Sequence, residues 1–153
     1  MLEQDKGLKG ILISVLGTDY TLRCVDSKDM PSWFFENCKG NCDHTVKVIT
    51  VEDLVKRKED YKDTLGDLET VTNQAVRHEL IHAFMRESGL GDESDIDEAM
   101  IDWFALQAPK LFEAFCQVKA FLPEEIKRCS EAFEKDNEKE IKSNVVKGFT
   151  NGH

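Results

Sequence analysis

"RHELIHAF", residues 77–84, places two histidines four residues apart with a glutamate directly after the first. The stretch lies inside a longer helical pattern that runs from about Leu68 to Ser88. Gly89 stands just past its end, where a left-handed closing residue is favoured. On such a helix Val71, Ala75, His78, His82 and Met85 share one face, and Val76, Leu80, Ala83 and Phe84 form a second apolar stripe. Two apolar stripes predict a helix covered on two sides. Positions i and i+4 lie one above the other, so His78 and His82 can aim both imidazoles at one ion about 2.0–2.1 Å away. Glu79 is turned about 100° from His78, too far round to be a third ligand on the same helix. It can reach a water held at the metal, where a general base belongs.

Outward from that helix, "KGILISVLGTDYTLRCV" alternates around Gly17-Thr18-Asp19 and reads as two short strands joined by a turn. "SKDMPSWFFENCKGNCD" offers Ser27 and Asp29 as caps, Pro31 near a helix start and Gly40 as a breaker, which predicts one short helix and a loop. "HTVKVITV", residues 44–51, is rich in β-branched residues and is the third expected strand. Thr50 with Asp53 resembles a capping box, opening a helix to about residue 63 that Gly66 ends. After the acidic loop "GDESDID", a helix is expected from about Asp97 towards Phe115, with Pro109 kinking or dividing it. "LPEEIKRCSEAFEKDNEKEIKS" restarts with Pro123 at a first helical position and becomes increasingly charged.

Composition bounds what this site can belong to. With 153 residues, 41% hydrophobic and 33% charged, the chain suits one compact domain with a sizeable core. It has no run of eighteen apolar residues and no secretory leader pattern, so a cytoplasmic setting without membrane attachment is expected. A net charge of -10 supplies no basic field for phosphates, which disfavours nucleic acid as a partner. Five cysteines, an odd number, point to reduced thiols rather than a disulfide framework. Cys38 and Cys42, with Cys24, have zinc-finger-like spacing, but no second pair of ligands follows, and free thiols are expected. The "DESDIDE" run lacks the alternating ligands and central glycine of a calcium loop and reads as a solvated connection. "PSWFFE" is expected in the core; exposed, it would mark a partner surface.

A structural zinc takes four protein ligands and a catalytic one takes three, so the third ligand decides the type of site. Glu98 stands on the next helix with Asp102 four residues later, on the same face, in "EAMID". Glu98 is the candidate third ligand, and Asp102 would accept the other ring N–H of a ligating histidine, fixing its tautomer. Asp92, Glu93, Asp95 and Asp97 crowd the same approach, but all precede the helical pattern.

"HELIHAF" followed by "EAMIDWFA" resembles the gluzincin layout of small zinc metallopeptidases, with the two histidines on one helix and a glutamate and aspartate on the next. The order E-x-x-I-D-x-F-A is also similar to the glutamate helix of ImmA/IrrE-type peptidases, whose members cleave repressor proteins in mobile elements. "LGTDY", "GNCDHTVKVITV", "RHELIHAFMRESGL" and "DEAMIDWFALQAPKL" together resemble small phage and prophage zincin-like proteins. The resemblance covers about residues 10–113; a fused helix-turn-helix segment and a match for the charged C-terminal stretch are missing from it.

The resemblance implies an α+β fold: a minimal zincin-like domain over residues 1–120, its small N-terminal sheet packed on the His-Glu helix and the glutamate helix. The sequence pattern itself adds a helical extension of the same domain over residues 121–143 and a frayed tail over 144–153 as expectations. The resemblance further implies Zn2+ held by His78, His82 and Glu98, with Glu79 as general base, acting on a protein or peptide substrate such as a repressor or another host or phage regulator. Zinc would polarise the peptide carbonyl and lower the pKa of its water, Glu79 would pass the proton to the leaving amine, and Tyr20, His44 or Tyr61 would donate to the oxyanion. In zincins an extended substrate lies along an edge strand, and "TVKVITV" is the expected edge. The competing expectation is an interaction module that keeps the zincin frame without proteolysis; an intact Glu79 favours the enzyme.

Overall fold

A computed structural model of the protein describes residues 10–61, 66–90 and 97–135. Its first strands, β1 (Ile11–Val15) and β2 (Thr18–Val25), form an antiparallel hairpin in which Val15 faces Thr18. The two residues between them, Leu16 and Gly17, have φ of 50° and 89°. Positive φ at both central positions matches the twist of the strands it joins.

The chain next makes a 3₁₀ turn at Ser27–Asp29, capped by the Asp26 side chain, and further turns over residues 32–35 in place of the expected short helix. The expected third strand, residues 44–51, is a hairpin instead: β3 (Gly40–Asp43), a turn, and β4 (Val48–Glu52). Asp43 Oδ1 accepts from the Thr45 N–H at 2.9 Å and from Thr45 Oγ1 at 2.6 Å, and Lys47 has φ 58°. A side chain that satisfies the backbone locally turns the chain where residue propensity favours a strand.

The sheet order is β1-β2-β4-β3, with β2 and β4 parallel and the other pairs antiparallel. β4 is therefore interior, and the expectation that residues 44–51 form an edge is overturned; β3 is the edge on that side. Ile49 to Glu52 are all buried, as a strand with neighbours on both sides requires. Thr50 lies in β4, and the N-cap position of the turn that follows is Asp53 instead. Asp53 begins a second 3₁₀ turn, Leu54–Arg57, which leads into α1 (Lys58–Tyr61). The buried Glu52 carboxylate is held by Arg57 at 2.9 Å and Lys39 at 3.3 Å.

α2 (Leu68–Glu87) packs on one face of the sheet. Asp67 caps its start by accepting from the Thr70 N–H at 3.0 Å. At its end Leu90 N bonds Met85 O, Gly89 N bonds Arg86 O, and Gly89 has φ 77°, a Schellman closure. Ala75, Val76, Leu80 and Ala83 meet Val15, Tyr20, Leu22, Ile49 and Val51 from the sheet. Glu87 anchors the last turn of α2, accepting from Thr18 Oγ1 and the Tyr20 hydroxyl at 2.8 Å each and from Lys47 at 2.5 Å. Those three donors hold its carboxyl down at about 2.

α3 (Glu98–Gln117) opens with the Asp97 side chain accepting from the Ala99 N–H at 3.0 Å and continues undivided through Pro109. The chain forms two compact units, Met1–Ala108 and Pro109–His153. In the second unit, Phe121 meets Phe112 and Phe115 at ring separations of 5.3 and 5.8 Å. Helix α4 follows over residues 123–135, with Glu125 Oε2 accepting from the Leu122 N–H at 2.8 Å. The fold is α+β, with four strands and four helices among the described residues, none of those helices long and apolar enough to cross a membrane. Residues 91–96 of the expected acidic loop, 136–143 of the expected helical extension and the expected tail at 144–153 lie outside the described residues, as does the end of the helix expected after Asp53.

Candidate metal centre

The middle of α2 passes beside the β3 edge, and α3 begins over the same place. His78 and His82, one turn apart, direct their Nε2 atoms together at 3.0 Å. The Glu98 carboxylate joins them from α3, with Oε2 3.3 Å from His78 Nε2 and Oε1 3.4 Å from His82 Nε2. Three ligands each about 2.0–2.1 Å from one tetrahedral ion stand about 3.3–3.4 Å from each other. The two Nε2 atoms stand 3.0 Å apart and each has one Glu98 oxygen within 3.4 Å of it, so the three side chains converge on one point at close to that spacing. Among the described residues, these three are the cluster of His, Cys, Asp or Glu able to hold a metal.

Asp102, one turn beyond Glu98, lies 2.8 Å from His78 Nδ1. This contact assigns the hydrogen to Nδ1 and leaves the Nε2 lone pair for a ligand. Burial, partly opposed by the Glu98 carboxylate, lowers the His82 pKa and so favours the neutral imidazole a metal needs. Asp97, spent on the cap of α3, is turned to its own backbone. Asp92, Glu93 and Asp95 lie outside the described residues.

Glu79 is 7% exposed, pressed against β3. A Cβ added to Gly40 would stand 2.6 Å from Glu79 Cγ and 2.7 Å from Oε1, so this strand position must lack a side chain for the carboxylate to sit where it does. Burial pushes Glu79 up to about 7, with Glu98 adding to the rise and His78 opposing it. In the sequence Gly40 reads only as a breaker. Its role has no local signature, because the clash is with a residue thirty-nine positions away (79 − 40).

Two lobes of a cleft meet at the His78, Glu79 and Glu98 side chains. One, about 390 Å³, extends over Val71, Gln74 and Ala75 towards Asn37 and Lys39. The other, about 410 Å³, runs past Asn41, Cys42 and His44 to His82. His44 thus lines the cleft, its Nδ1 3.5 Å from the Tyr20 hydroxyl and 3.6 Å from Cys42 Sγ. Tyr20 does not face it: the ring is fully buried in the core, and its hydroxyl bonds Glu87. The side chain of Tyr61 lies outside the described residues.

The cysteines are free thiols. Burial, then the Glu79 and Asp43 carboxylates, push the Cys42 thiol up to about 12, which suits a neutral packing group and opposes a thiolate ligand. Trp33 of the aromatic cluster is 68% exposed, contrary to the expected core position. A scan against known protein families and searches of curated proteins and of solved structures found no match to this chain.

Proposed function

We propose that the chain is a zinc-dependent endopeptidase of the gluzincin kind, with a minimal zincin-like domain. The observation that carries the reading is the convergence of the His78, His82 and Glu98 side chains on one point, with the Glu79 carboxylate in the same cleft. Three protein ligands leave a position open, as a catalytic zinc requires. Bound there, zinc supplies Lewis acidity, polarising a carbonyl and bringing the pKa of water towards about 7.

The chain's own groups supply the remaining chemistry. Glu79, buried in the same cleft as the three ligand side chains, is placed to accept the proton of a water held there. It takes the proton as the water oxygen bonds to the carbonyl carbon and returns it to the amine as the C–N bond breaks. His44, which lines the cleft, is the oxyanion donor in this reading. The side of β3 that has no strand partner among the described residues, beside Glu79, takes an extended segment of the protein substrate by main-chain pairing.

The test compares zinc-loaded wild type with Glu79→Gln in a whole-cell lysate, followed by identification of new protein termini. Termini made only by the wild type, and lost with a chelator, are expected and would identify the substrate. A wild type that makes none beyond those of the Gln variant leaves the interaction module as the better reading.

A further inference from the structure

α3 carries Glu98 and Asp102, yet little apolar surface holds its first turns in place. From Glu98 to Leu106 only Ile101 and Ala105 are buried, while Met100 and Trp103 are 56% and 51% exposed. A metal ligand must nevertheless be held to within about 0.2 Å.

Pro109 stands inside this helix and has no N–H. In an α-helix that N–H would bond the carbonyl four residues earlier, which is Ala105. The freed carbonyl is not idle: Arg77 Nε donates to Ala105 O at 2.6 Å. Arg77 immediately precedes His78 on α2, and Ala105 follows Asp102 by one turn on α3. The Arg77–Ala105 and His78–Asp102 contacts are thus adjacent rungs between the two helices.

We infer that Arg77 is a positioning residue for the metal centre: it grips the carbonyl that Pro109 leaves without a helical partner, and so sets Glu98 and Asp102 against the two histidines. Ala105 lies seven residues, about 10 Å, along the axis from Glu98. A tilt of about 5° at that point carries Glu98 about 1 Å, several times the tolerance of a metal ligand. An interior helical carbonyl ordinarily has its own N–H partner, so Pro109 and Arg77 work as a pair. The consequence for metal affinity rests on the zinc reading; the latch itself does not.

Four full-length proteins test it: wild type, Arg77→Leu, Pro109→Ala, and the double variant. Arg77→Leu strands a buried carbonyl and is expected to lose both stability and zinc affinity. In the double variant the new N–H at position 109 satisfies Ala105 O, so the melting temperature recovers. Zinc affinity in a competition titration stays about 10–100-fold below wild type, because the tie between the helices is still missing. Pro109→Ala alone keeps its affinity, since the carbonyl's second lone pair still accepts from Arg77. In metal-free protein, the downfield His78 Nδ1–H proton resonance should be sharp in wild type and broadened in the double variant. Affinity that returns together with stability would overturn the positioning role, as would an unchanged His78 resonance. A wild type that binds no zinc would sink the metal reading, and the His78 resonance would still decide the latch.

Discussion

Asp102→Ala isolates the link between the two helices at the proposed metal centre. The carboxylate holds His78 Nδ1 at 2.8 Å, selecting the tautomer and ring angle that turn Nε2 towards His82 and Glu98. Losing such a partner typically weakens metal affinity by about 10–100-fold. Asp102 is 66% exposed, so water competes for both ends of the bond. That places the expected loss at the low end, about tenfold or about 1.4 kcal/mol. Glu98→Ala removes the proposed third donor and should exceed the roughly 100-fold upper end for an outer partner. Asp97→Ala should leave affinity near wild type, because that side chain caps Ala99 instead. The assay is a zinc competition titration against a chromophoric chelator at neutral pH. Asp102→Ala as damaging as Glu98→Ala, or Asp97→Ala worse than either, would refute this division of roles.

Three further outcomes are expected. Gly40→Ala forces the Glu79 carboxylate back by about 1 Å, from the 2.7 Å a Cβ would leave to Oε1 to ordinary contact, and should lower turnover of an identified substrate by about 10²-fold while zinc affinity holds; turnover within twofold of wild type would remove Gly40 from the mechanism. Glu87, depressed from 4.5 to about 2 by Lys47, Thr18 and Tyr20, adds stability above pH 4.5 that is lost as pH falls from there to about 2. Denaturation midpoints of Lys47→Met should fall less steeply over that window, and a slope equal to wild type would count against the cluster. Ile49→Ala, at a fully buried site on β4 opposite α2, should cost about 2–5 kcal/mol in chemical denaturation, and a loss under 1 kcal/mol would contradict the packing described.

The local features of the site could be read from the chain because they follow from helix periodicity. His78 and His82 had to share a face, Glu79 had to be turned away from it, and Glu98 and Asp102 had to stand one turn apart, whatever the remaining fold. The closing glycine of α2 and the turn between β1 and β2 were legible for the same reason, since each depends on a few consecutive residues. Tertiary structure decided what depends on residues far apart in sequence. Residues 44–51 have strand composition throughout, yet the Asp43 side chain and the backbone at Lys47 break them into a turn and an interior strand, leaving β3 as the edge. Tyr20 had the chemistry of an oxyanion donor, but only the packing of α2 on the sheet turned it into the core and onto Glu87. Gly40 and Pro109 looked like breakers. Gly40 makes room for Glu79, and Pro109 frees a carbonyl for Arg77, because backbone geometry at one residue acquires meaning only from the side chain that folding brings beside it.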